Sequence, residues 1–201
     1  MTETPTPSAY VRRLPIGEPI PFPAEGIPNW DIFPFEGELR VKSLEPPVLP
    51  EPPRHGEVPA DCRCAAGLPE NAIWSDGNWV VLRMWEAPSL PAIVMLKPVA
   101  HHDLDDLPAH LSAELGPVMQ RVEKAVMGLG GIARVHVNKW GDGGAHLHWW
   151  FFGRPEGMVQ LRGTCLPLWD DVLPVVPVEE WHETNRKIAA ALAVGGGSAH
   201  I

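Results

Sequence analysis

The stretch His146-Leu147-His148-Trp149-Trp150-Phe151-Phe152 has the residue types and the spacing for chemistry. If it is extended, alternate residues share a face. His146, His148 and Trp150 then point one way, and Leu147, Trp149 and Phe151 the other. Two imidazoles on one face, just after the glycine loop Gly141-Asp142-Gly143-Gly144-Ala145, make a compact polar site beside an apolar wall. An imidazole with its ordinary pKa of about 6.5 is neutral at cell pH and can act as a nucleophile or ligate a metal. The same pair also suits two core-edge histidines satisfied by hydrogen bonds. Downstream, Arg154 and Arg162 suit bidentate phosphate contact or surface ion pairing, beside the acidic pair Asp170-Asp171. His136 reads as a polar residue on a strand face, and Asp142 as a turn residue. His55, His110, His182 and His200 read as solvated.

These residues need elements to hold them. Asn78 to Trp85 and Ala92 to Lys97 read as two strands joined by the turn-rich Glu86 to Pro91. Pro108 to Leu129 places Leu111, Leu115, Val118, Val122, Val126 and Leu129 at spacings of three and four, one buried helix face, with Gly130-Gly131 ending it. Ile132 to Trp140 and His146 to Phe152 read as strands around the glycine loop. Val178 to Val194 is helix-like, with Trp181, Asn185, Ile188 and Leu192 near one face, and Gly195-Gly196-Gly197 ends the fold. Cys165, outside these patterns, reads as a small buried side chain.

Proline divides the chain. Of its 24 prolines, 14 fall in residues 1–60. Proline removes a donor and fixes φ, so this region cannot be regular helix or central sheet. Residues 1–60 therefore form an extended arm packing on the body, with a short strand at Glu38 to Leu44 and a floppy linker at 1–9. Residues 61–201 form the globular domain. The fold class is α+β, with an antiparallel sheet of about five strands, packed helices and the proline-rich N-terminal arm.

The 201 residues carry 16 Lys+Arg against 25 Asp+Glu, a net charge of −9. A phosphate-backbone binder needs a cationic surface, so nucleic acid is an unlikely class of partner. No apolar run approaches the ~20 residues of a membrane span, and residues 1–15 have no apolar signal core. Three cysteines are too few for a disulfide scaffold, which points to a reducing cytoplasm.

The ordered set resembles the histidine triad (HIT) superfamily. It comprises hairpin strands, Leu96-Lys97-Pro98-Val99-Ala100-His101-His102, Leu104 to Pro108, a long helix, Val135-His136-Val137-Asn138, a glycine loop and His146-Leu147-His148. The resemblance covers roughly Cys62 to Pro155. The family pattern has a third histidine where this chain has Trp150, and galactose-1-phosphate uridylyltransferases, distantly similar, also lack it. The resemblance implies a nucleotide hydrolase or nucleotidyltransferase with a small-molecule nucleotide or phosphate ester as substrate. His148 would attack the α-phosphorus and form a nucleotidyl-imidazole, with Asn138, Gly143, Gly144 and Trp150 on the substrate. Indole offers one N–H donor and no proton acidic enough to be given up near neutral pH, so Trp150 can hold a phosphate oxygen but cannot act as a general acid. The resemblance also implies a homodimer. It further implies a structural zinc on Cys62, Cys64, His101 (or His102) and His146, with one residue between the cysteines where the family has two. A non-catalytic nucleotide- or metal-binding module and a repurposed enzyme with a non-nucleotide substrate are the alternatives.

Overall fold

The computed structural model describes Arg12 and residues 14–201; the linker expected at 1–9 lies outside the described residues. Contacts divide the chain into two units that meet in sequence between Pro53 and Arg54. In the first, Ile27–Asn29 forms a 3-10 turn and Phe33 meets Phe35 edge to face at 5.4 Å. The strand expected at Glu38 to Leu44 does not form. Only Leu44 pairs, in an isolated parallel bridge with Ile16. Pro34, Pro46 and Pro47 flank the segment, and it finds no ladder partner among the described residues.

The second unit is α+β. A six-stranded, wholly antiparallel sheet runs in the order β4-β5-β3-β2-β1-β6. Its strands are β1 (Ala72–Ser75), β2 (Trp79–Arg83), β3 (Ala92–Pro98), β4 (Ile132–Asn138), β5 (Trp149–Pro155) and β6 (Ser198–Ala199). The helices are α1 (Ala109–Met127), α2 (Leu166–Asp170) and α3 (Val178–Val194). The short β1 and β6 were not expected. The glycine run after α3 does not end the fold: it reverses the chain so that Ser198 and Ala199 pair with β1. The Trp74 indole N–H donates to the Gly196 carbonyl at 3.0 Å and secures the reversal. No described helix is long and apolar enough to cross a membrane.

Alternation along the strands divides the two faces. Val81, Val94, Leu96 and Phe151 face α1 and α3, where Leu111, Val118, Val122, Val126, Ile188 and Leu192 complete the main core. Val80, Leu82 and Met95 face the other side. There Ile93 and Phe152 also meet Leu90, Leu161 and Leu166. Gly153 lies where α1 crosses the sheet: a Cβ there would sit 3.2 Å from Ile132 Cδ1 and 3.3 Å from Val126 Cγ1.

The turn between β2 and β3 is held from a distance. Asp170 Oδ1 accepts from the Ser89 and Leu90 amides at 2.7 and 3.0 Å. Burial raises the Asp170 carboxyl above the usual carboxylate range, against the two amides, which lower it. Asp170→Ala leaves two amides without an acceptor and lowers stability by ~1–3 kcal/mol. Asp170→Asn keeps an acceptor and buries no charge, so it costs less. A carboxyl whose folded pKa is raised penalises folding only as pH climbs above its unfolded value of about 3.9. The asparagine variant therefore gains on wild type between pH 4 and pH 7, which urea denaturation at the two pH values measures.

Candidate active site and metal centre

His146 and His148 sit in the extended lead-in to β5, not in its ladder, which begins at Trp149. The lead-in spends its amides on loops. Ala145 N–H donates to the His55 carbonyl (3.0 Å) and Leu147 N–H to the His102 carbonyl (2.7 Å). The expected alternation survives: Leu147, Trp149 and Phe151 join the main core, whereas His146 and His148 line a cavity on the other face.

Four donor atoms converge there. Cys62 and Cys64 lie at the start of the 3-10 turn Arg63–Ala66, His101 just after β3, and His146 in the lead-in. One ligand atom from each lies within 4.8 Å of the others. Cys62 Sγ is 3.4 Å from His146 Nδ1, and Cys64 Sγ is 3.6 Å from His101 Nδ1. A tetrahedral ion with Zn–S of about 2.3 Å and Zn–N of about 2.0 Å puts S and N about 3.6 Å apart. The donor set and its spacing therefore fit such an ion, and the single residue between the cysteines does not prevent the convergence. His102 does not take part; its Nδ1 lies 3.6 Å from Asp106 Oδ1.

The protonation states agree with this fit. His146 Nε2–H donates to the Pro98 carbonyl at 2.9 Å, which leaves the Nδ1 lone pair facing the thiols, the outer-shell arrangement that orients a ligating histidine. Burial, then the Lys97 charge, pushes His146 down to about 4, so its ring is neutral near pH 7. Burial, with Cys62 beside it, pushes the Cys64 thiol up to about 11. A metal entering here displaces thiol protons.

Gly56 packs against this cluster at φ +77°, the left-handed region that favours glycine. A Cβ there would lie 3.2 Å from Cys62 Cβ and 3.4 Å from His101 Cε1. Gly56→Ala shifts two ligands at once and weakens metal affinity by about 10-fold or more, as competition with a chromophoric chelator measures.

His148 stands apart from the four. Its Nδ1–H donates to the His146 carbonyl at 2.8 Å, which leaves Nε2 with the free lone pair. The ring is half-buried and lines a cavity of about 320 Å³ together with Gly143 and Gly144. The glycine loop is pinned by Arg54, which donates to the Gly141 carbonyl (3.2 Å) and to Asp103 Oδ2 (2.8 Å).

Asn138 and Trp150 are register partners across β4 and β5, and neither lines the cavity. Trp150 stacks on Phe152 at 5.8 Å, with Trp140 against both, and its ring lies 6.3 Å from that of His148. Arg154 donates to the Pro155 and Met158 carbonyls, and Arg162 to the Val159 carbonyl. His136 is half-buried in β4, and its Nε2 has no hydrogen-bond partner. His55, read as solvated, is exposed but lines the cavity, and its backbone holds the loop. Sequence reading missed Arg54, Gly56 and Lys97. Lys97 had a signal, as the one charged residue in an otherwise apolar strand.

No family model matches the chain, and no curated protein does. Several solved structures are similar to it. A histidine triad protein from Marinobacter aquaeolei is 22% identical over 66% of this chain and 93% of that one, with a TM-score of 0.49. A zinc-bound histidine triad family protein from Mycobacterium smegmatis is 23% identical over 65% and 89%, with a TM-score of 0.47. A uridylyltransferase structure is 21% identical over 67% of this chain, with a TM-score of 0.48; the match spans 46% of the uridylyltransferase. The likeness to these histidine triad and uridylyltransferase structures is one of fold.

Proposed function

We propose that the chain is a HIT-like nucleotide hydrolase or nucleotidyltransferase that works through a nucleotidyl-histidine on His148. We also propose that Cys62, Cys64, His101 and His146 hold a structural zinc. The observation that carries the first reading is the His148 tautomer. With Nδ1–H committed to the His146 carbonyl, Nε2 is the nucleophilic nitrogen of a cavity-lining ring.

In the first step Nε2 attacks the α-phosphorus. The N–P bond forms as the bond to the leaving group breaks, and the leaving group takes that electron pair. The positive charge left on the imidazole is shared with Nδ1–H, whose bond to the His146 carbonyl strengthens. In the second step water or an acceptor phosphate attacks the same phosphorus, the N–P bond breaks and its electron pair returns to Nε2, so His148 is neutral again; when water attacks, its proton passes to solvent. Trp150 has no proton to give. Leaving groups that depart without protonation, such as phosphates, are therefore favoured over amines. The metal would tie the 62–64 turn, the residues after β3 and the His146 lead-in together, and so fix the lead-in on which His148 sits.

The test is intact-mass measurement after brief mixing with dinucleoside polyphosphates, nucleotide sugars and adenosine phosphoramidate. One nucleotidyl adduct on wild type and none on His148→Ala supports the reading. No adduct and no turnover with any of them overturns it. The missing acid at Trp150 favours a second reading, a binding module on the same fold, for which nucleotide binding without turnover is the signature.

A further inference from the structure

Lys97 is placed where a surface lysine would not be. It follows Met95 by two residues on β3 and so shares its face, opposite Val80 of β2. That face is the floor of the cavity, where Val80, Leu82 and Met95 supply an apolar surface and Leu68 and Trp85 add further apolar lining. Lys97 lines the cavity beside them, half-buried. No salt bridge reaches Lys97 among the described residues, and none of the described residues lining the cavity is a carboxylate. Lys97 is therefore a half-buried cation beside an apolar surface with no counter-charge at hand. An ammonium out of water is costly unless it is paired.

The rest of the lining points the same way. The chain carries 25 Asp+Glu and a net charge of −9, yet among the described residues no carboxylate lines the cavity, and Arg63 adds a second cation. The volume of about 320 Å³ suits a ring-sized group. We propose that this cavity binds an apolar, ring-sized ligand group through a phosphate or carboxylate that pairs with the Lys97 ammonium. Val80, Leu82 and Met95 carry the body of the ligand, and Lys97 selects for its charge. This does not rest on covalent chemistry at His148 and holds equally for a binding protein.

Titration calorimetry on the full chain as purified without chelator, carrying His148→Ala so that nothing turns over, tests it. The probes are 1-naphthyl phosphate, 1-naphthoate and 1-naphthalenemethanol, one ring with a phosphate, a carboxylate and no charge. At least one anion binds tenfold or more tightly than the alcohol, and the tighter of the two identifies the anion. Adding Lys97→Met brings the three within about twofold, with the alcohol unchanged, and Lys97→Arg keeps the preference. Lys97→Met also raises the melting temperature of the ligand-free chain, because it removes an unpaired buried charge; a lysine serving the fold would lower it. Lys97→Gln is the second neutral variant should the methionine form fail to fold. Equal affinities for the three probes, no binding of any, or a preference that survives loss of the ammonium overturns the proposal. Failure of the nucleotidyl-histidine reading shows separately, as the absence of a covalent adduct on the chain that retains His148.

Discussion

His148→Ala is expected to lower the rate of nucleotidyl transfer by about 10³-fold or more, because it removes the nitrogen on which the proposed intermediate forms. His146 lines the same cavity, but both its nitrogens are engaged, Nε2 with the Pro98 carbonyl and Nδ1 facing Cys62. The fall appears in kcat, and the substrate's binding constant moves little. The variant folds. His148 is half-buried and its one side-chain hydrogen bond runs to the carbonyl two residues before it, so circular dichroism and the melting temperature stay close to wild type. Single-turnover kinetics with the best substrate of the mass experiment supply the measurement. A loss smaller than tenfold would mean that another group attacks.

Removal of the proposed metal is the second large expected effect. Protein purified without chelator is expected to carry about one zinc per chain, which elemental analysis measures. Stripping it, or replacing Cys62 and Cys64 by serine, lowers the melting temperature by on the order of 10 °C. The size follows from where the donors lie. Cys62 and His146 are 84 residues apart in sequence, and Cys64 and His101 are 37 apart, so one ion closes long loops. Without it, two buried or half-buried thiols and two imidazoles face one another across gaps that only weak S–H contacts fill. Zinc retained in the double serine variant, or an unchanged melting temperature after stripping, refutes the assignment. The proposed transfer is expected to slow when the metal is stripped, since His148 is carried on the segment that His146 anchors.

The contrast between local and distant information runs through the molecule. Strand alternation placed Leu147, Trp149 and Phe151 on one face and the histidines on the other, and this held even though the ladder starts only at Trp149. The i, i+3, i+4 spacing of α1 and α3 named most of the residues that are buried in them: Leu111, Val118, Val122 and Val126, then Trp181, Asn185, Ile188 and Leu192; Leu115 and Leu129 are only partly buried, and the buried Ala125 and Ala189 were not named. Such patterns are legible because a residue's direction depends on its immediate neighbours. β1 and β6 were not legible, because four residues and two residues carry too little periodicity. β6 pairs only because the chain, after a glycine turn, returns beside Trp74. Glu38 to Leu44 shows the converse, an apolar alternation with no partner strand.

By itself, then, the amino-acid order determined the side on which each strand and helix residue lies, the proline division of the chain and the residue types available for a metal or a nucleophile. Only the tertiary structure decided that His101 and not His102 meets the cysteines, and which nitrogen of His148 is free. It also decided that Lys97 lines an otherwise largely apolar cavity and that Asn138 and Trp150 stand outside it. Apart from the His148 bond, which runs to the carbonyl two residues before it, those facts are distances between segments tens of residues apart, and such distances are set by how helices and sheet pack together, a property of the whole core that no local pattern encodes.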